Sequence, residues 1–446
     1  MDAVLPASLR AIAATRVFTG SVFEPATVRI ADGRVVGVDG FDAAAQVVLS
    51  NDRVLIPGLV DSHVHLDEPG RTEWEGFATG TAAAAAGGVT TILDMPLNSV
   101  PVTTTVGALA AKRAAARGKL AVDTGYWGGA VPENLGSLAA LADAGVVGFK
   151  CFLSPSGIDE FGYLDAEQLE RALAEVAALD SVLIVHAEDP ALLHTPARLG
   201  VRYAEFAASR PPLSERSAIR TVIGAAQRTG ARAHIVHVSD GGSLDEIRAA
   251  KAAGVRLTAE TCPHYLALRA EDVPDGAAAF KACPPIRGGD NRELLWTGVL
   301  DGTIDAVVSD HSPCPAAMKQ RGGGDFAQAW GGISGLQTGL AAVWTEARAR
   351  GIPLETLLPL LTTGPARIAG LADRGRIAVG APAHLVVLSP DTLFTVDASR
   401  LEYRNPISPW DGKVLAGVVE ATYLAGERAY GRSDGIGPRR GQEILL

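Results

Sequence analysis

The chain has 446 residues, 47% of them hydrophobic and 20% charged, and a formal net charge of −10. That balance excludes wholesale disorder and, with no basic run, a general nucleic-acid binder. Four scattered cysteines, Cys151, Cys262, Cys283 and Cys314, exclude a disulfide framework and fit a reducing compartment. No apolar stretch reaches the roughly 20 residues of a membrane helix. Met1-Asp2-Ala3-Val4 lacks the basic start of a secretory signal. The expectation is a cytoplasmic protein with no membrane or nucleic-acid partner. The length allows about three domains, or one large α/β barrel with a smaller companion.

Short strands open the chain at 17–18, 28–30 and 35–38, and Asp32-Gly33 is a hairpin turn signal between two of them. From 57 to 370, short apolar runs alternate with Ala-, Leu- and Arg-rich helical patterns such as 77–86, 105–117, 166–178 and 215–229. Eight runs read as strands: 55–61, 89–94, 120–126, 145–150, 182–186, 233–238, 255–260 and 304–309. Eight strand–helix units predict an α/β fold, a parallel (β/α)8 TIM barrel, with a doubly wound open sheet as the competing arrangement. Strand patterns return at 385–388 and 418–423. The predicted organisation is 1–56 as the N-terminal part of a β-sandwich, 57–370 as the barrel, and 371–446 as the C-terminal part of the sandwich and a tail.

Barrel enzymes carry their chemistry at the C-terminal ends of the strands. His63 and His65 follow the first strand two residues apart, so extended backbone aims both the same way. Lys150 closes the fourth strand. It either snorkels to the rim or, as a CO2 carbamate, becomes an anionic ligand able to bridge two cations. His186 ends the fifth strand, His237 the sixth and Asp310 the eighth. Alternation sends His234 to the opposite face of the sixth strand from His237, which makes it structural. His264 either lines the site or is a loop histidine; His311 faces away from Asp310; His194 and His384 read as surface.

Six groups at matching strand ends point to a two-metal hydrolytic site. Imidazole and carboxylate donors suit Zn²⁺, with Co²⁺, Mn²⁺ or Fe²⁺ as alternatives. Two ions sharing a hydroxide would lower its pKa towards neutrality, and Asp310 could act as ligand and general base. Four histidines cannot neutralise two dications, so a bridging anion is expected, and a carbamylated Lys150 supplies one.

Asp61-Ser62-His63-Val64-His65-Leu66-Asp67-Glu68-Pro69-Gly70-Arg71 resembles the cyclic amidohydrolases of the amidohydrolase superfamily, which include dihydroorotases, hydantoinases and allantoinases. Thr72 to Phe77, Met95 to Ser99, Gly148 to Phe152, Ser309 to Cys314 and Ala329 to Ile333 extend the resemblance, which runs from about 15 to 428 and favours allantoinases. The resemblance implies a distorted barrel with a β-sandwich from both termini. It implies one metal on His63 and His65, a second on His186 and His237, carbamylated Lys150 bridging both, and Asp310 as ligand and base. Ring recognition in relatives runs through backbone near Cys283, Ser312 and Gly332; Asn98 joins these as a candidate substrate contact. Cys283 stands where a serine is expected, a change that a backbone contact tolerates. Family habit implies a homotetramer.

Dihydroorotases of this layout place a carboxylate-reading arginine two residues after the second histidine, and here that residue is Asp67. A negative charge there would repel an anionic substrate, so a neutral ring is expected, with allantoin opened to allantoate. A D-hydantoinase or dihydropyrimidinase is the alternative enzyme. A metal-free scaffold protein is the alternative class, and the complete ligand set speaks against it.

Overall fold

The computed structural model describes residues 5–446; residues 1–4, on which the reading of the N-terminus rests, lie outside them. Five strands come first: β1 (Ala11–Phe18), β2 (Phe23–Ala31), β3 (Arg34–Asp39), β4 (Val47–Val48) and β5 (Val54–Pro57). Asp32 and Gly33 both take positive φ, 49° and 73°, and turn β2 antiparallel into β3 as their sequence predicts.

The barrel strands follow: β6 (Leu59–Val64), β7 (Val89–Asp94), β8 (Asp123–Tyr126), β9 (Gly128–Gly129), β10 (Phe149–Phe152), β11 (Val182–His186), β12 (Arg232–Ile235), β13 (Leu257–Thr261) and β14 (Ala306–Val307). β8 and β9 are one strand interrupted at Trp127, so the count is eight. All pairings are parallel, β6 to β8 on one side and β9 to β14 on the other. Val64 bridges His311 in parallel, and His65 N–H donates to His311 O at 2.8 Å, which closes first strand on eighth.

Four more strands, β15 (Leu385–Thr395), β16 (Val414–Leu424), β17 (Glu427–Gly431) and β18 (Gly435–Ile436), join the N-terminal five. β5 pairs antiparallel with β15, giving one nine-stranded sheet from both ends of the chain. Ile12, Val28, Leu55, Leu385, Val387 and Tyr423 pack into its own core, the small β-sandwich. Residues 441–444 leave it and bond to 120–124 beside the barrel.

The helices follow their local signals. In Ala166–Ala178, Asp165 accepts from Gln168 N–H at 2.8 Å while the Gln168 side chain returns to Asp165 N–H, a capping box. Leu169, Ala172, Leu173 and Val176 form its buried stripe. Pro212 starts Pro212–Thr229, and Gly230 at φ 68° ends it.

Strand bounds shift where apolar runs cross two elements. The run 55–61 holds the end of β5, in the sandwich, and the start of β6, in the barrel; Gly58 separates them. Lys150 is the second residue of β10 rather than the last of a strand over 145–150. β12 stops at Ile235, two residues before His237. The surface assignment of His384 is overturned: the side chain is buried, its Nε2 lies 3.1 Å from Asp123 Oδ2, and its Nδ1 accepts from Ala425 N–H. A partly apolar ring with two polar partners is satisfied inside, and sequence alone does not reveal such partners. His194 is exposed.

Candidate active site

A cavity of about 420 Å³ opens among the strand ends, lined by His63, His65, Lys150, His186, His237 and Asp310 among others. The six residues singled out by position are therefore brought together. Asn98, Cys283, Ser312 and Gly332 also line it. His264 does not; it is buried within 4.8 Å of the Asp310 carboxylate, with both ring nitrogens unpartnered. His311 turns away from the cavity, its Nε2 3.3 Å from Glu75.

His63 sits near the end of β6, and His65 just beyond it. Glu260 Oε1 lies 2.7 Å from His63 Nδ1, and Leu97 O lies 2.9 Å from His65 Nδ1. A carboxylate and a carbonyl can only accept, so each Nδ1 carries the proton and each Nε2 offers a lone pair. Those two Nε2 atoms lie 3.2 and 3.7 Å from Asp310 Oδ1, which also accepts from Ser312 Oγ at 2.9 Å.

The second pair is arranged with the opposite ring nitrogen. Glu188 Oε2 holds His186 Nε2 at 2.7 Å, leaving Nδ1 free to face His237 Nε2 at 2.9 Å. Arg210, from 22 residues further on, donates to Glu188 through Nε and Nη2. Lys150 lines the same cavity, only 1% exposed, its Nζ without a hydrogen-bond partner.

Burial pushes His65, His186 and His237 below the usual imidazole range, so their rings are neutral donors of lone pairs. Burial also pushes Lys150 down to about 8, against the pull of Asp310 and Glu260. Glu260 and Glu188 behave oppositely. Burial opposes their charge, but His234 with His63, and Arg210 with His186, outweigh it and hold each carboxyl at about 2.

The donors fit divalent metal ions: bare imidazole nitrogens converge on Asp310, His186 Nδ1 and His237 Nε2 meet at 2.9 Å, and a buried amine without a hydrogen-bond partner lines the same cavity. Backbone strain concentrates here, with Asp67, His237 and Asp310 at φ of 61°, 40° and 44°.

Two expectations change. His234 is not on an opposite face, since its Nε2 lies 3.0 Å from Glu260 Oε2, the carboxylate that holds His63. The strand ends at Ile235 and His237 is left-handed, so alternation no longer relates the two histidines. Asp67 is not among the residues that line the cavity. It is buried, burial raises its carboxyl well above the usual range, and its Oδ1 accepts from Asn98 Nδ2 at 3.1 Å.

Glu188, Arg210 and Glu260 were missed by the sequence reading. Two signals point to them: an acid two residues after His186, and an acid ending the apolar run 255–260, where a buried carboxylate requires partners.

A closed parallel barrel with histidines, a lysine and an aspartate on its strand ends defines a metal-dependent hydrolase class. The chain belongs to the Amidohydrolase family, whose family model matches residues 54–429. Within it the chain is similar to the allantoinase of Streptomyces avermitilis, 54% identical over 93% of this chain and 94% of that one. The Arabidopsis thaliana allantoinase is 40% identical over 94% of this chain and 88% of its own length. Among solved structures, an L-hydantoinase (dihydropyrimidinase) from Arthrobacter aurescens superposes with a TM-score of 0.91 at 28% identity, covering 98% of this chain and 100% of that one. The dihydropyrimidinase of Brevibacillus agri gives 0.88 at 27%, covering 98% of each.

Proposed function

We propose that this protein hydrolyses the cyclic amide of allantoin to allantoate. The observation that carries the reading is the 54% identity to an allantoinase across nearly the whole chain. It is joined by six converging donor side chains in one cavity. The hydantoinase reading draws on fold likeness at 28% identity or less in the structures above, which leaves it second.

In this reading His63 and His65 would hold one ion and His186 and His237 the other, and a carbamylated Lys150 and Asp310 would complete the donor set. Two divalent ions, zinc by donor preference, would supply Lewis acidity towards the ring carbonyl and acidify the attacking water. Asp310 takes the proton released by that water and returns it to the ring nitrogen as the C–N bond breaks. Ser312 Oγ, donating to Asp310 Oδ1, fixes the direction in which the carboxylate presents. Glu260 and Glu188 keep the protons of His63 and His186 on the far side of each ring. Lys150, buried and easily deprotonated, adds through Nζ to the carbon of CO2 and loses a proton, leaving an N-carboxylate. Asn98, Cys283, Ser312 and Gly332 contact the ring.

No helix among the described residues is long and apolar enough to cross a membrane. Four free cysteines fit the cytoplasm, and family resemblance favours a homotetramer. The test is a substrate panel on metal-loaded protein with allantoin, hydantoin, dihydrouracil and dihydroorotate. Allantoin is expected to turn over fastest; faster hydantoin or dihydrouracil turnover replaces this reading with the second.

A further inference from the structure

One wall of the cavity is the segment Ala329, Trp330, Gly331 and Gly332. Three of its four carbonyls are taken by two lysines. Lys281 Nζ donates to Ala329 O at 2.6 Å; Lys319 Nζ donates to Trp330 O at 3.0 Å and to Gly332 O. Gly332 N–H returns a bond to Lys281 O at 2.8 Å.

Both lysines are buried, and among the described residues neither forms an ion pair. Burial lowers both, Lys319 to about 8. Two buried amines without carboxylates are costly compared with apolar residues of the same volume. Their hydrogen bonds all go to the cavity wall. Gly332, at φ 105°, presses the wall close to the end of the barrel: a Cβ there would lie 2.1 Å from Ser312 O, two residues after Asp310. Gly331 N–H has no acceptor among the described residues and faces no such constraint.

We propose that Lys281 and Lys319 are positioning residues that clasp the 329–332 wall, so that its remaining backbone donor, Gly331 N–H, meets a carbonyl of the cyclic ureide ring. The inference rests on the reading of the cavity as a ring-hydrolysing site. The clasp takes three of the wall's four carbonyls out of play and leaves the Gly331 N–H without a partner among the described residues. It also ties three pieces of the rim together, since Lys281 precedes Cys283 and Lys319 follows Ser312.

The test compares wild type, Lys319→Met, Lys281→Met and the conservative Lys319→Arg, all metal-loaded. Hydrogen exchange is followed across 327–334 without substrate, together with metal content and the KM and kcat for allantoin. Loss of the clasp should speed exchange in that segment about tenfold and raise KM about tenfold. Metal content and kcat should stay close to wild type, and Lys319→Arg should recover part of the loss. Wild-type exchange and KM in both Met variants would overturn the clasp, as would falling kcat and metal content at unchanged KM. If Lys319→Met does not fold, Lys281→Met carries the same comparison. If wild type does not open allantoin, the functional reading fails, while the exchange data still decide whether the lysines hold the wall.

Discussion

Glu260 stands behind His63: its Oε1 lies 2.7 Å from Nδ1, and both side chains are buried. The negative charge makes Nε2 a stronger donor and fixes which nitrogen is bare. His234, on the other carboxylate oxygen, keeps Glu260 ionised.

Replacing Glu260 with Gln keeps the size but removes the charge. Metal affinity is expected to fall by about 10- to 100-fold, the usual effect of losing such an outer partner. Competition with a chelator measures it. Unchanged affinity would reduce Glu260 to a packing residue.

Lys150 gives a second test. Lys150→Ala should lose most of its bound metal and activity, because the site then lacks a bridging anion. A short carboxylic acid added with divalent metal should restore part of the activity. Full activity without that addition would end the carbamate assignment.

How far the sequence carried depends on whether a residue acts through its own position or through its partners. His63, His65, Lys150, His186, His237 and Asp310 were legible because barrel geometry sends strand ends to one place. Glu188, Glu260 and the two wall lysines were not, because their roles come from side-chain partners that strand position does not reveal. Glu260 and His63 are 197 residues apart. The run 55–61 hid a junction because two consecutive strands of different sheets are both apolar. Asp67 was legible as an acid, but its left-handed backbone and its burial beside Asn98 were not.

That last difference has a consequence for substrate choice. If Asp67 rejected anions by charge, Asp67→Asn would admit dihydroorotate. Asp67 is buried away from the cavity lining, burial works against a charge on it, and Asn can still accept from Asn98. Asp67→Asn is therefore expected to leave dihydroorotate excluded and allantoin turnover within about threefold. Dihydroorotate turnover in that variant would restore the charge argument.

Glu215 sets a pH dependence away from the metal donors. Its carboxylate accepts from Ser239 N–H and Oγ and from Asp240 N–H, and burial raises it from 4.5 to about 7 despite Arg287. A raised folded-state pKa gives stability that is complete below 4.5 and is lost as pH rises through about 7. The gap between 4.5 and about 7 corresponds to roughly 3 kcal/mol. Glu215→Gln should therefore gain on wild type between pH 5 and pH 8 in denaturant unfolding at equal metal load. A difference that does not change with pH would contradict the raised carboxyl.

Asp310 decides whether one carboxylate serves both as ligand and as base. Its left-handed backbone, φ 44°, aims the side chain at His63 and His65, and Ser312 Oγ steadies Oδ1. Asp310→Asn keeps the shape and one oxygen but removes the basicity. General-base catalysis contributes about 10²- to 10⁴-fold, so kcat should fall by at least that order. His63, His65, Lys150, His186 and His237 remain, so bound metal should fall by much less. Metal and kcat falling together would make Asp310 chiefly a ligand. His264, buried within reach of its carboxylate and with both ring nitrogens unpartnered, would then be the group to examine as base. An Asn variant with normal kcat would remove Asp310 from the chemistry altogether, whatever its place among the donors.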